Sequence, residues 1–187
     1  PSIIRACNMS TETIVGQVRH TFTRDLLDRA KTVPEAWEGR FAKPEYELVM
    51  DKDTTELMHI DFESGESIEA TGAEIYEIVF NSGQPWIISA NGTVFTYEKK
   101  GIIPGLLERW YAERKEIQAK AVAAREEGGD KFAFWDKRQL VKKINLNSLY
   151  GALLNPGSRF FDSRLGQSTT LTGRSIAKHM ASKCNEI

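Results

Sequence analysis

The sequence predicts an α+β fold in which an antiparallel pair of long helices is attached to a mixed region of short strands and short helices. The first hundred residues contain short alternating apolar runs separated by turn residues. Residues 104–153 instead contain two long runs with apolar residues at helical spacing. Because Gly128 and Gly129 lie between these two runs, we expect the runs to pair as a helical hairpin.

The segment before this hairpin contains several short elements. Residues 1–19 combine an apolar start with capping-type residues, which favours a turn or a short helix. Residues 21–33 have apolar positions at helical spacing and precede a proline, so we expect a short amphipathic helix. Residues 45–62 alternate around a polar turn, which predicts a hairpin in which Asp51 and Asp53 are turn residues rather than metal ligands.

Two local motifs follow. Thr71 and Glu74 have the spacing of a capping box in front of an apolar run, which predicts a second short helix that ends near Gly83. Asn91–Gly92 lies between two short apolar runs, and this dipeptide is the strongest short-range signal for a β-hairpin. We therefore expect paired strands before and after Asn91–Gly92.

The long helices have clear boundaries. Pro104 opens the first run, at a position where its missing N–H is not needed. The second run begins near Lys131 and continues until Asn155–Pro156–Gly157 breaks it. Beyond the break, Ser158–Asp162 is predicted to be a strand and residues 166–187 a helix. The apolar residues at helical spacing are Leu106, Trp110, Ile117 and Ala121 in the first run and Trp135, Leu140, Ile144 and Leu149 in the second.

The chain carries a net charge of -1, but its charges are divided unevenly. Residues 1–98 contain 8 Lys and Arg against 17 Asp and Glu, whereas residues 99–187 contain 17 against 9. The halves therefore have charges of about -9 and +8. A basic half is a candidate surface for anions or nucleic acid, because Lys and Arg neutralise phosphates. Pairing of acidic and basic faces within the molecule is the alternative.

Cysteines and histidines in this sequence lack the spacing of a metal site. We interpret Cys7 and Cys184 as free thiols and assign no metal ligand. No stretch approaches the roughly 18 consecutive apolar residues of a membrane span, so we expect a cytosolic location without a membrane partner. Because the chain starts at Pro1 without Met and ends within a helical pattern, we expect a piece of a larger protein.

A polar stripe in the second long run is a candidate site. A helix places Lys143, Asn147 and Tyr150 on one face, and Gly151 follows directly. One interpretation is a solvated basic face with Tyr150 packed against the base of the hairpin. Gly151 favours another interpretation, because glycine costs up to about 1 kcal/mol in a helix interior. Its presence indicates that a ligand, such as a nucleic-acid base pair, approaches the backbone there.

Arg114 is the candidate residue in the first long run. In an antiparallel hairpin, Arg114 and Lys143 lie at similar distances from the open end, so both can face one phosphate chain. Two fixed cations suit phosphoryl transfer, because the charge that develops in this reaction is stabilised electrostatically and by positioning. A solvated, salt-bridged turn at residues 113–116 is the alternative.

Several segments resemble family B DNA polymerases. Pro1–Arg5 is similar to the rear of the first palm motif, in which Asp-x-x-Ser-Leu-Tyr comes before Pro-Ser-Ile-Ile. Lys143–Ala152 resembles the second motif, a lysine followed by Asn-Ser-Leu-Tyr-Gly on the fingers helix. Residues 8–16, 101–104 and 114–116 most resemble the replicative polymerases of T-even-like phages.

This resemblance implies roles for the candidate residues. Arg114 and Lys143 would bind the triphosphate of the incoming deoxynucleoside triphosphate (dNTP), and Asn147 would support the same pocket. Lys143 would also protonate the leaving pyrophosphate, which makes it the nearest group to a catalytic acid. Tyr150 and Gly151 would lie under the nascent base pair.

The resemblance also divides the chain into parts of a polymerase. Residues 1–101 would be a palm portion with an α+β insertion, residues 102–155 the fingers hairpin, and residues 156–187 a second palm portion. Two departures concern the phage pattern. Gln118 stands where the phage enzymes have a second lysine, and Leu154 stands where a glycine is common.

Cofactors and partners follow from the same resemblance. The complete enzyme would use Mg²⁺, with primer–template DNA and the remaining polymerase segments as partners, in the cytoplasm of an infected bacterial host. The metal-binding aspartates of the family would lie before Pro1 and after Ile187, so we expect the chain to be inactive alone. Two alternatives stay open: a natural subunit of a split polymerase, or a non-enzymatic hairpin that binds protein or nucleic acid.

Overall fold

A computed structural model describes residues 1–20, 55–127 and 131–185 of the chain. These residues form a five-stranded antiparallel sheet and five α-helices. In chain order the elements are α1 (Ser2–Ala6), β1 (Ile14–His20), β2 (Leu57–Phe62), β3 (Ser67–Thr71), α2 (Gly72–Tyr76), β4 (Trp86–Ile88), β5 (Thr93–Thr96), α3 (Ile102–Glu127), α4 (Lys131–Leu153) and α5 (Ser163–Asn185). Thr11–Thr13 forms a 3₁₀ turn before β1, and Glu77–Asn81 continues α2 as a π-helical turn.

β1 is the central strand of the sheet, whose order is β3-β2-β1-β5-β4. It pairs antiparallel with β2 and with β5, so that Val18 lies opposite Ile60 and Gly16 opposite Val94. The turn or short helix predicted for residues 1–19 is confirmed by α1 and by the 3₁₀ turn at Thr11–Thr13, whereas the strand at Ile14–His20 was not predicted. The alternation that marks a half-exposed strand is missing, because the central residues Gly16, Gln17 and Val18 are all buried.

The sheet has an apolar cluster on each face. The adjacent residues Val94 and Phe95 of β5 lie on opposite faces, as successive residues of a strand do, and belong to different clusters. Ile14 and Val18 of β1 are four residues apart and also belong to different clusters, because a bulge lies between them. The cluster under α2 contains Val18, Met58, Ile60, Ile75, Val79 and Val94. The other, which we call the base cluster, contains Ile4, Cys7, Met9, Ile14, Phe95, Ile103, Leu107, Leu146, Leu153 and Leu165. The base cluster therefore joins the sheet to α1, α3, α4 and α5.

Both local motifs of the first half are confirmed. Thr71 and Glu74 form a reciprocal capping box at the start of α2, and Gly83 follows the π-helical turn with a φ of +75°. β4 and β5 pair around the predicted hairpin turn. Its loop has three residues, 90–92, and ends with Gly92 at a φ of +82°, a conformation that favours glycine.

The helical hairpin is confirmed, but its second helix packs differently from the simple apolar pattern. In α3 the four predicted apolar positions are half-buried or buried, and Leu107 is fully buried beside them. In α4, Leu140 and Ile144 are 46% and 53% exposed, whereas Leu146 and Leu153 are buried in the base cluster.

None of the helices in residues 1–20, 55–127 and 131–185 combines the length and apolar character needed to cross a membrane.

The strand predicted at Ser158–Asp162 is wrong. This segment forms consecutive turns, in which the Ser158 N–H donates to the carbonyl oxygen of Asn155 at 2.8 Å and the Phe161 N–H donates to that of Ser158 at 3.1 Å. Asp162 then accepts from the Arg164 N–H at 2.8 Å and begins α5. Because these backbone groups form hydrogen bonds within the segment, they do not pair with a neighbouring strand.

Two expectations, the helix at 21–33 and the hairpin at 45–62, fall wholly or partly outside the described residues. The helix expected at 21–33 and the turn with Asp51 and Asp53 lie outside the described residues. The second arm of the hairpin expected at 45–62 is a strand, β2, but the expected hairpin pairing is wrong, because β1 and β3 occupy both edges of β2. The free thiols expected at Cys7 and Cys184 are confirmed.

Gly16 allows a close approach of β1 to β2. A Cβ at Gly16 would lie 2.5 Å from the backbone carbonyl oxygen of Asp61. We expect Gly16→Ala to lower the free energy of unfolding by about 1–3 kcal/mol, the usual cost of overpacking. Gly105→Ala is the control, since its nearest contact would be 3.8 Å and alanine favours a helix by about 1 kcal/mol. Urea unfolding measures both, and wild-type stability of Gly16→Ala would contradict the close packing.

Candidate functional site

The two hairpin helices meet through polar side chains at the level of Arg114. Lys142 of α4 forms an ion pair with Glu113 of α3. One residue further along α3, Arg114 donates from both Nε and Nη2 to Oε1 of Gln139 at 3.3 Å. Gln139 in turn donates to Oδ1 of Asp136 at 3.1 Å. Gln139 therefore holds the Arg114 guanidinium against α4.

Lys143 lies one helical turn after Gln139 and is exposed. Within the described part of the chain, no hydrogen bond or ion pair involves its ammonium group. The structure therefore places Lys143 one turn along α4 from the residue that Arg114 contacts. We call Arg114 and Lys143 the cation pair. That they bind one phosphate chain together stays a prediction.

The other predicted site residues continue along α4. Asn147 is exposed, and the hydroxyl of the half-buried Tyr150 lies 2.6 Å from Oγ1 of Thr170 on α5. Gly151 is exposed, and a Cβ built on it would meet no heavy atom within 4 Å. Leu146 and Leu153 lie buried in the base cluster, which fixes the orientation of the helix. The stripe is therefore anchored on one side of α4 and open at Gly151.

Two residues that contact the predicted site were not predicted. Gln139 precedes Lys143 by four residues, so helical spacing from Lys143 could have indicated it. Thr170 lies twenty residues after Tyr150 on a different helix. No local pattern connects these two positions, so only the folded chain shows their contact.

Three side chains from the segment before β1 hold the start of α3. The first N–H groups of a helix have no partner inside the helix. Three of them are bound here, and we call the residues that bind them the seat of α3. The pairs are Oδ1 of Asn8 with the N–H of Gly101 at 2.9 Å, Oγ of Ser10 with that of Ile103 at 3.4 Å, and Oε1 of Glu12 with that of Ile102 at 2.6 Å.

The Glu12 carboxylate is stabilised in its ionised form. Burial alone raises the pKa of Glu12, but hydrogen bonds from the Ile102 N–H and the Ser10 hydroxyl lower this pKa below its usual value of 4.5. A lowered pKa in the folded state stabilises the fold at neutral pH, and this contribution is lost as the pH falls through the lowered pKa. The negative charge also lies at the positive end of the α3 dipole.

The first turns of α5 are fixed to the β4–β5 loop by a buried polar group. Ser168 donates to Oδ1 of Asn91 at 2.8 Å and lies 3.0 Å from the hydroxyl of Ser89. The Ala90 N–H donates to Oγ1 of Thr172 at 3.1 Å. Thr170, the partner of Tyr150, lies between these two attachment points. The sheet thus positions the hydroxyl that binds Tyr150.

Arg164 attaches the beginning of α5 to the β2–β3 turn. It donates from Nε to Oδ1 of Asp162 at 3.1 Å and from Nη2 to Oδ2 at 2.8 Å, and it forms an ion pair with Glu63. The hydrogen bond with Asp162 raises the pKa of Arg164 most, against the lowering effect of burial, and the bond to Glu63 adds to it. The guanidinium is therefore a permanent cation that bridges two segments.

A metal ion does not fit the described residues. Among residues 1–20, 55–127 and 131–185, no three His, Cys, Asp or Glu side chains are placed so that they could hold a metal ion. A two-metal site for phosphoryl transfer needs several carboxylates around both ions. We therefore assign no reaction step to a bound metal in this part of the chain.

Comparison with known proteins identifies the family. A family model described as DNA polymerase family B matches residues 1–187. The chain belongs to DNA polymerase family B. This membership confirms the family expected from Pro1–Arg5 and Lys143–Ala152.

Individual relatives of this family B chain come from viruses, eukaryotes and archaea. The DNA polymerase of Paramecium bursaria Chlorella virus NY2A is 32% identical over 165 residues, covering 86% of this chain and 16% of the viral protein. The DNA polymerase alpha catalytic subunit of Arabidopsis thaliana is 33% identical over 111 residues, covering 52% of this chain and 7% of the plant protein.

A solved structure of the family B DNA polymerase from the archaeon Pyrobaculum calidifontis shares the fold, with a TM-score of 0.53 at 16% identity. The alignment covers 94% of this chain and 18% of the archaeal chain. This chain therefore spans less than a fifth of each of the three relatives. The narrower resemblance to T-even-like phage enzymes stays a prediction.

Lys142 and Lys143 are neighbours in the family B motif region but have different environments. We expect Lys142→Ala to lower the free energy of unfolding by about 0.5–1 kcal/mol, because it breaks the ion pair with Glu113 across the hairpin. Lys143→Ala should change it by less than about 0.5 kcal/mol, as is usual for an exposed side chain. Chemical denaturation followed by circular dichroism measures both. Equal losses would contradict the orientation of α4.

Proposed function

We propose that this family B segment binds the incoming dNTP and contacts the nascent base pair during template-directed nucleotidyl transfer. In this proposal α3 and α4 form the fingers hairpin (residues 102–155), and residues 1–101 and 156–187 belong to the palm. Primer–template DNA and the remaining polymerase segments are its partners. The metal-binding carboxylates of the complete enzyme come from outside the described residues.

The cation pair is the observation that carries this proposal. Gln139 holds the Arg114 guanidinium against α4, and Lys143 is exposed one turn further along the same helix. A triphosphate presents several anionic oxygens along a short chain, and nearby cations stabilise the charge that develops when it reacts. Arginine supplies a planar fork for two oxygens, whereas lysine supplies a mobile point charge. Together they suit adjacent phosphates of one dNTP.

Lys143 takes the role of general acid in this proposal. The primer 3′ oxygen forms a bond to the α-phosphorus of the dNTP, and the bond from that phosphorus to the pyrophosphate oxygen breaks. The Lys143 ammonium donates a proton to this oxygen as negative charge develops there. The proton of the primer hydroxyl goes to a base outside the described residues.

Tyr150 and Gly151 provide the surface for the nascent base pair. The open space over Gly151 lets a flat group approach the helix, and the hydrogen bond to Thr170 holds the Tyr150 ring beside it. Asn147 lies on the same helix between this surface and Lys143, where its amide supports the triphosphate pocket. One helix thus serves both ends of the bound nucleotide.

Removal of either cation should impair nucleotide use in the complete enzyme that contains this segment. We expect Lys143→Ala and Arg114→Ala each to lower kcat/KM for the dNTP about 100-fold or more, because each removes charge from the reacting triphosphate. Affinity for primer–template DNA without nucleotide should change less than about 2-fold. Lys137→Ala is the matched control, since this exposed lysine lies six residues before Lys143 on another face of α4.

Single-nucleotide incorporation by the three variants measures this effect. Unchanged kinetics for both Lys143→Ala and Arg114→Ala would overturn the site assignment. An equal loss in Lys137→Ala would show a general charge effect rather than a nucleotide site. DNA affinity that falls with salt but ignores added nucleotide would favour a hairpin that only binds nucleic acid.

Substitution of Gly151 separates stability from function. An alanine Cβ meets no heavy atom within 4 Å in the free protein, so its helix preference should raise the free energy of unfolding by about 1 kcal/mol. In the proposed complex the base pair occupies this space, so kcat/KM should fall at least about 10-fold. Gly105→Ala is the control, with the same gain in helix preference and no kinetic loss. Full activity of Gly151→Ala would refute the base-pair contact.

A further inference from the structure

Asn8 joins three segments of the chain through one amide group. Its Nδ2 donates to the carbonyl oxygens of Thr96 at 2.8 Å and Lys99 at 2.7 Å, and its Oδ1 accepts from the Gly101 N–H at 2.9 Å. Asn8 also has a φ of +51°, which is uncommon for a residue other than glycine. Such a conformation persists where the surrounding structure holds it. The amide therefore fixes the chain between the end of β5 and the start of α3.

The seat of α3 is also closely packed. A Cβ at Gly101 would lie 2.8 Å from Cβ of Ser10 and 3.1 Å from Cγ2 of Thr13. Asn8, Ser10 and Thr13 are all buried. The seat therefore has little room in which the first turn of α3 could shift while its hydrogen bonds remain.

A small change at the seat is enlarged at Arg114. Arg114 lies twelve residues after Ile102, or roughly 18 Å along a helix that rises about 1.5 Å per residue. A tilt of about 5° at the seat would displace this position by about 1.6 Å over that length. A misplacement of about 1 Å from a reacting group can lower a rate about 100-fold. The direction of α3 thus controls where the guanidinium lies.

We propose that Asn8 and Glu12 are positioning residues for Arg114, because they fix the direction in which α3 leaves the sheet. This inference rests on the proposed role of Arg114 in binding the dNTP. Neither residue contacts the nucleotide. Their hydrogen bonds to the first turn of α3 hold the guanidinium at the triphosphate, and their loss leaves the guanidinium present but displaced.

A double-mutant cycle in the complete enzyme tests the inference. We expect Glu12→Ala to lower kcat/KM for the dNTP about 10-fold, with unchanged affinity for primer–template DNA. In an Arg114→Ala background the same substitution should change kcat/KM less than about 2-fold, because the side chain that the seat positions is already absent. Glu12→Gln keeps an oxygen that accepts from the Ile102 N–H, so it should restore most of the lost kcat/KM.

Two further variants keep the experiment decisive. Asn8→Asp retains the acceptor for the Gly101 N–H and tolerates a positive φ, but it loses both donors. If Glu12→Ala folds poorly, Asn8→Asp replaces it in the cycle, and its loss of kcat/KM should likewise depend on the presence of Arg114. Glu74→Ala is the matched control, because it removes the capping box of α2, which lies on the other face of the sheet. It should lower stability without changing the dNTP kinetics.

The outcomes separate this inference from the proposed function. A loss from Glu12→Ala that is equally large with and without Arg114 overturns the positioning role, as does the absence of any loss in the wild-type background. A similar kinetic loss in Glu74→Ala also overturns it, because the effect is then general instability. Unchanged kinetics for Arg114→Ala alone means that the proposed function fails, and the seat then has no Arg114 contact to position.

Discussion

The base cluster is the constraint on which the arrangement of the long helices depends. Leu107 of α3, Leu153 of α4 and Leu165 of α5 are almost completely buried there, together with Phe95 from the sheet. Each such side chain contributes about 1.5–3 kcal/mol when it leaves water. Earlier in α4, away from the base cluster, the large apolar residues Leu140 and Ile144 are exposed. The hairpin is therefore anchored at one end and extends away from the sheet.

The contact between the two hairpin helices has a different character at the level of the cation pair. It contains the ion pair of Lys142 with Glu113 and the hydrogen bonds of Arg114 to Gln139, where an apolar interface would otherwise continue. Partly exposed ion pairs contribute only about 0.2–1 kcal/mol each. The contact with Gln139 orients the Arg114 guanidinium. Because this contact is weak, a ligand could replace Gln139 at a small cost in free energy.

Membership of DNA polymerase family B allows the groups in this chain to be compared with those that a complete polymerase needs. The chain covers less than a fifth of the compared polymerases, and its described residues hold no donor set for a metal. What they do hold is a pair of cations, an open glycine and a tyrosine fixed by Thr170. In the proposed function these groups bind and orient the nucleotide, and the carboxylates that phosphoryl transfer needs come from outside the described residues.

Local chemistry in the sequence was sufficient for several elements. Thr71 with Glu74 predicted the start of α2, Asn91–Gly92 predicted the β4–β5 hairpin, and Pro104 with the glycine turn predicted the helical hairpin. Each signal acts through neighbouring backbone groups, so it survives in a sequence read without its fold. The motif from Lys143 to Ala152 likewise predicted the family and the residues of the stripe.

The tertiary structure alone decided the features that depend on distant partners. β1 is a strand because β2 and β5 bind both its edges, and residues 158–162 are not a strand because they have no such neighbour. The amide of Asn8 finds the Gly101 N–H 93 residues away, and Thr170 reaches Tyr150 from another helix. The face of α4 that meets α3 includes the half-buried Gln139 and Lys142, whereas Leu140 and Ile144 are exposed, since the position of α3 determines which side is covered. Such contacts follow no repeating spacing in the sequence, because their partners are brought together by the packing of separate elements.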